Sequence, residues 1–125
     1  MTNETTDSIL LSVKKMLGID DAYNVFDNDL IMHINAVLMI LTQIGVGKEN
    51  FIITGKEALW TDFLGTTSLD MIKPYVYLKV KLLFDPPQSS SVTESINHQI
   101  SELEWRMNNS VDPGLKKTEE DIQNV

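Results

Sequence analysis

The pair Pro86-Pro87, reached through Phe84-Asp85, divides the most strongly patterned part of this chain in two. Neither proline has an amide hydrogen to donate, and each holds the residue before it in extended backbone. A helix arriving from the N-terminal side must therefore stop near Phe84. On that side Leu69, Ile72, Val76, Val80 and Leu83 recur at helical spacing, with Met71, Tyr75, Leu78 and Leu82 as an adjacent stripe. Thr67 or Ser68 can open this helix. Pro74 either is the first residue of its main part, after a separate turn at Leu69–Lys73, or kinks it. On the other side, Ser91 with Glu94 has capping-box spacing and opens a helix to about Asn108, with Val92, Ile96, Ile100, Leu103 and Met107 on one stripe. Two helices joined so tightly fold back on one another, which predicts a helical hairpin over residues 68–109.

The front of the chain has the same period. A helix is predicted from about Thr6 to Leu17, capped by Thr6 or Asp7 and stopped at Gly18, with Ile9, Leu10, Val13, Met16 and Leu17 as its apolar stripe. An acidic, turn-rich loop over Ile19–Asp27 follows. A second helix opens near Asp27 or Asn28 and ends at Gly45, carrying Leu30, Ile31, Ile34, Val37, Leu38, Leu41 and Ile44 on its main stripe. Met32, Met39 and Ile40 lie off that stripe, so this helix is apolar around much of its circumference. It is either central in the domain or shared with a neighbouring subunit. Gly45-Val46-Gly47-Lys48 looks like part of a phosphate loop, but Thr42 and Glu49 stand where the Walker pattern needs Gly and Ser or Thr. A helix stop with a turn fits better. Phe51–Thr54 reads as an extended loop tucked on the core, and Glu57–Leu64 as a short helix. The expected fold class is all-α, about five helices in a small bundle. Residues 1–109 form one domain and 110–125, polar and with a Pro-Gly pair, a flexible tail.

Charge narrows the function. The 125 residues carry 18 acidic and 10 basic groups, a net charge of −8. Residues 1–29 hold 2 basic and 6 acidic groups, residues 89–125 hold 3 and 7, and residues 67–88 hold 3 and 2. Affinity for nucleic acid draws mainly on Lys and Arg at phosphates, so DNA is a poor ligand for such a surface. With 0 cysteines, disulfides, thiolate metal sites and cysteine nucleophiles fall away, and the chain fits a reducing compartment. The N-terminus lacks the pattern of a signal peptide and no apolar run is long enough for a membrane span, so no membrane partner is expected.

Chemistry is sparse. His33 and His98 fall on different helices and neither stands in a metal-binding pattern. Asp20-Asp21 and Glu119-Glu120-Asp121 lie in loop and tail, without the rigid placement that paired catalytic carboxylates need. Asp27 and Asp29 begin like a calcium loop but lack its Gly and closing Glu. No serine stands in G-x-S-x-G. The expectation is no enzyme, no cofactor and no metal.

Two surfaces point elsewhere. Asp70, Lys73, Tyr77 and Lys81 line the helix face opposite the apolar stripes, either as a solvated face or as a docking stripe. Trp105 lies about 180° from the middle of the last helix's stripe, sharing its outer face with His98 and Ser101. Either it anchors a protein contact, as Trp often does, or it packs on the loop around Phe51 or the first helix of its own subunit. Trp105, His98, Ser101, Lys73, Tyr77, Lys81, Met39 and Ile40 are the candidate interface residues.

The segment Leu69–Pro87, with the Ser-rich cap and the helix containing Glu102-Leu103-Glu104-Trp105-Arg106-Met107, resembles tailed-phage head–tail connector (adaptor, or head-completion) proteins. So do the helix ending Met16-Leu17-Gly18-Ile19, the acidic loop, the long helix opening Asp29-Leu30-Ile31-Met32-His33-Ile34-Asn35, and Trp60-Thr61-Asp62-Phe63-Leu64-Gly65. The resemblance spans roughly residues 6–109 and rests on the order and spacing of these elements. It implies a structural virion protein forming a homo-oligomeric ring, of about twelve subunits when docked on the portal. Its partners would be the portal protein, a downstream connector, stopper or tail protein, and viral DNA passing through the channel without sequence-specific binding. It would lie at the head–tail junction, and in the bacterial host cytoplasm during assembly, with the C-terminal region on the portal. The rival readings are a small helical DNA-binding regulator of phage packaging or transcription, and a small enzyme or nucleotide-binding subunit. The first needs a basic recognition helix, where only Lys73–Lys81 offers a basic stripe. The second needs a convergent polar site.

Overall fold

Apolar residues repeating every three or four positions, cut by Gly18, Gly45 and the Asp85-Pro86-Pro87 stop, decide where this chain is helical. The computed structural model describes residues 7–65 and 70–110. They form α1 (Ile9–Leu17), α2 (Asp27–Ile44), α3 (Trp60–Leu64), α4 (Ile72–Phe84) and α5 (Ser90–Ser110). Among the described residues the only extended pairing is a single antiparallel bridge between Ser8 and Leu59. The fold is all-α, with α4 packed against α1, α2 and α5. The expected tail beyond Ser110, the caps Thr6, Thr67 and Ser68, and Leu69 lie outside the described residues.

The cap of α1 is Ser8. Its Oγ accepts from the Leu11 N–H at 3.3 Å and donates to the Lys56 carbonyl at 2.7 Å. The Ile9 N–H adds a bond to the Ala58 carbonyl at 3.1 Å, so the start of α1 is stitched to the segment before α3. At the end of α2, Gly45 takes a left-handed φ of 108° and turns its N–H onto the Leu41 and Thr42 carbonyls. Gly47 follows with φ 85°, and a Cβ there would lie 2.2 Å from the Phe63 ring. With Lys48 N–H bonded to the Phe63 carbonyl at 2.9 Å, Gly45–Lys48 is a turn docked on α3.

The stretch 51–54 is irregular, and Asn35 on α2 takes the place of a neighbouring strand. Its Nδ2 donates to the Ile53 carbonyl at 3.0 Å and its Oδ1 accepts from the Ile53 N–H at 2.8 Å. Ile53 is thereby pinned side chain inward, and it is buried. The short helix starts at Trp60, later than the predicted Glu57, because the Asp62 carboxylate caps the Leu59 N–H at 3.0 Å.

Pro74 is the third residue of α4. The first intrahelical bond, from the Tyr75 N–H to the Met71 carbonyl at 3.2 Å, closes just after it. A residue in the first turn has no intrahelical acceptor for its N–H, so Pro74 fits there without a kink. At the hairpin's second arm the cap is Ser89, not Ser91. The Val92 N–H faces the Ser89 Oγ at 3.4 Å and the Thr93 N–H reaches the Ser89 carbonyl at 3.1 Å. Ser91 already lies inside the first turn.

The core joins Ile9, Leu10 and Val13 of α1, the Leu30–Leu41 stripe of α2, and Ile72, Tyr75, Val76 and Val80 of α4 to Ile96, Ile100 and Met107 of α5. Leu83 and Val92, placed on stripes by period, are exposed, whereas Leu82 and Phe84 on either side of Leu83 pack partly buried against the core. Buried Tyr75 donates its hydroxyl to Glu104 Oε2 at 2.7 Å, tying the two arms. Burial first, then the bond to Glu104 and its negative charge, push the phenol well above its ordinary value. A pKa raised on folding means the native chain holds the proton longer than the unfolded one. This contribution is complete below the unfolded value of about 10 and is lost as pH rises through the higher folded value. Tyr75→Phe should therefore lose less stability than the wild type above about pH 10. Urea unfolding of both proteins across that range checks it, and parallel losses would refute it.

Candidate protein interface

α2 presents Leu30, Ile34, Val37, Leu38 and Leu41 to the core, which leaves Met32, Asn35, Met39 and Gln43 along its outer side at helical spacing. The chain from Glu49 to Ile52 runs beside that face and forms a second wall, held by the Asn35–Ile53 bonds. Between them is an open groove of about 840 Å³. Its apolar surface comes from Met32, Met39 and Ile52, which are 61%, 60% and 64% exposed, and from the half-buried Phe51, which is tilted on Phe63 at 5.3 Å. The helix apolar around its circumference is thus central on one side and open to solvent on the other. Ile40 is partly buried against the core and stands apart from the groove.

On α5, Ile96, Ile100 and Met107 point inward, so Trp105 points out and is 67% exposed. His98 and Ser101 are exposed beside it. Packing on its own subunit does not bury this indole. Glu102 and Arg106 flank it with a 3.6 Å ion pair. Among the described residues none of α5 lines the α2 groove, so these are two separate surfaces.

The face of α4 carrying Lys73, Tyr77 and Lys81 is half-buried, and Lys81 pairs with Asp85 at 2.9 Å. This stripe is less open than the other two. A third apolar region was not foreseen. Phe26 stacks edge-on against Tyr23 at 5.8 Å and against Phe84 at 5.2 Å, carrying the acidic loop onto the end of the hairpin. Tyr23, Val25, Phe26 and Leu83 are exposed there. The signal was present in the aromatic and branched residues Tyr23, Val25 and Phe26 inside a loop otherwise read from its charges.

Among the described residues no group of three or more His, Asp or Glu side chains could hold a metal ion. Nor, among them, is any helix long and apolar enough to cross a membrane.

The family model described as phage connector protein matches residues 9–114. No curated protein and no solved structure matches the chain.

Proposed function

This chain belongs to the phage connector protein family, and on that premise we propose that it is a ring subunit between the capsid portal and the tail or next connector protein, extending the DNA channel. The family is a structural one, so the broad role is that of a phage connector protein. The observation that carries the finer reading is the pair of exposed apolar surfaces, the α2 groove and Trp105, on different elements of one small domain. Closed rings need a heterologous contact, in which one face of a subunit meets a different face of the next. A monomer gains nothing from exposing an indole and a methionine-lined groove together. The net charge of −8 suits a passage through which DNA slides without sticking.

Electron microscopy of the protein mixed with the portal protein of the same phage tests the proposal. The expected result is a ring of added density on the portal. Portal particles without added density, beside free monomers at every concentration, would reject it.

A further inference from the structure

Resting on the ring reading above, we infer that Trp105 of one subunit seats in the α2 groove of the next, which makes the ring's repeating contact.

Charge identifies a second copy as the occupant. The chain has a net charge of −8, so two copies repel wherever their carboxylates meet. Between Asp29 and Lys48 there is no Asp, Glu, Lys or Arg, and the groove wall on α2 falls wholly within that stretch. Here a like-charged chain can approach without burying a charge. The flank that would enter it is nearly neutral as well, because Glu102 and Arg106 pair with each other beside Trp105. Among the described residues Glu49 is the only carboxylate lining the groove, at its rim away from the α2 wall.

Shape agrees. A groove of about 840 Å³ lies in the range that encloses several side chains. An inserted indole buries on the order of 150–250 Å², the scale of a central anchor. His98, Ser101 and Trp105 are spaced i, i+3 and i+7, the register in which a helix lies along an apolar groove. The far wall is fixed beforehand by Asn35 on Ile53, so little order has to be gained on docking. Groove and indole sit on different faces, so the contact repeats from copy to copy and does not close on itself within one pair.

The chain has 0 cysteines, which permits a direct test. Ser101→Cys, beside Trp105, and Gln43→Cys, on the groove wall, are both surface substitutions that leave Trp105 and the methionines in place. The two variants are mixed, alone and with portal protein, and treated with a short bismaleimide. The expected product is a mixed cross-linked dimer, with little product from either variant alone. Rings that form without the mixed product, or with only like-to-like products, overturn this pairing and leave the ring reading standing. Absence of assembly under both conditions overturns both. In parallel, Trp105→Ala should keep its fold, reported by circular dichroism and the fluorescence of buried Trp60, and weaken self-association by about thirtyfold or more. Wild-type assembly by a folded Trp105→Ala variant overturns the inference.

Discussion

Trp60→Ala is expected to lower the unfolding free energy by about 3–5 kcal/mol, a large share of what a domain of this size possesses. Trp60 opens α3 and is 1% exposed. Its Nε1 donates to Ser12 Oγ at 2.9 Å, and that hydroxyl donates onward to the Ile9 carbonyl at 3.0 Å. The five residues of α3 are too few for a helix to stand alone. What holds them is the Asp62 cap, the Phe63 ring against Gly47, and this indole driven under α1. Truncation removes the side chain and leaves a cavity that α1 cannot collapse into without breaking its bonds to Lys56 and Ala58. Trp60→Phe separates the two contributions. It keeps an aromatic ring and loses one hydrogen bond, and because Ser12 retains its bond to Ile9 the cost should be about 1–2 kcal/mol. Urea unfolding followed by circular dichroism gives both values. A loss below about 1 kcal/mol for Trp60→Ala would mean that the segment between α2 and α4 is not anchored through this residue.

The consequence reaches the groove. Its second wall, from Glu49 to Ile52, lies between the Gly47 turn and α3. Trp60 therefore supports the groove wall, and with it the contact inferred for Trp105. The two tryptophans have opposite surroundings, and the sequence placed only one of them. Trp105 was readable as outward because α5 is long and its stripe is clean. Trp60 sits in a single turn, and its partner Ser12 is 48 residues away, a separation that periodicity does not cover.

The same division runs through the rest of the fold. α1, α2, α4 and α5 were legible because each repeats its apolar residues over two turns or more, and the first three end at a Gly or Pro signal. Their caps were less so. Ser89 and Ser91 are chemically alike, and the choice between them depends on where the chain leaves the prolines. Leu83 and Val92 follow the helical period but are exposed, and period alone cannot say which residues at the end of a stripe a neighbour covers. The groove was half visible. Met32 and Met39 stood off the main stripe of α2, whereas the wall from Glu49 to Ile52 depends on Asn35, a polar residue on a helix that gives no sign of its acceptor. The burial of Lys14, whose side chain is 1% exposed, was invisible for the opposite reason, since a lysine in an amphipathic helix is ordinarily read as solvent-facing.

Asp27→Ala should be the most damaging single change in the acidic part of the chain, at about 2–4 kcal/mol, although Asp27 is itself partly open to water. Lys14 reaches from the second turn of α1 with its side chain 1% exposed, and its Nζ lies 2.8 Å from Asp27 Oδ1 and 3.0 Å from the Asp21 carbonyl. Removing the carboxylate leaves a buried ammonium with one neutral acceptor, and the desolvation cost of that charge is then uncompensated. It also takes an acidic residue from the first turn of α2, where Phe26 supplies no side-chain cap. The reverse change is milder. Lys14→Met leaves Asp27 at a helix N-terminus with 28% of its side chain in water, so its charge stays solvated and the cost should be about 1 kcal/mol. The double variant Lys14→Met/Asp27→Ala should therefore be more stable than Asp27→Ala alone, a sign that two independent sites cannot produce. Urea unfolding of the three variants decides it, and Asp27→Ala proving no worse than Lys14→Met would refute the account. Because the pair fixes the start of α2 to α1 and spans the loop that lays Tyr23 and Phe26 toward Phe84, its loss should loosen that end of the hairpin before it disturbs the α2 groove or Trp105.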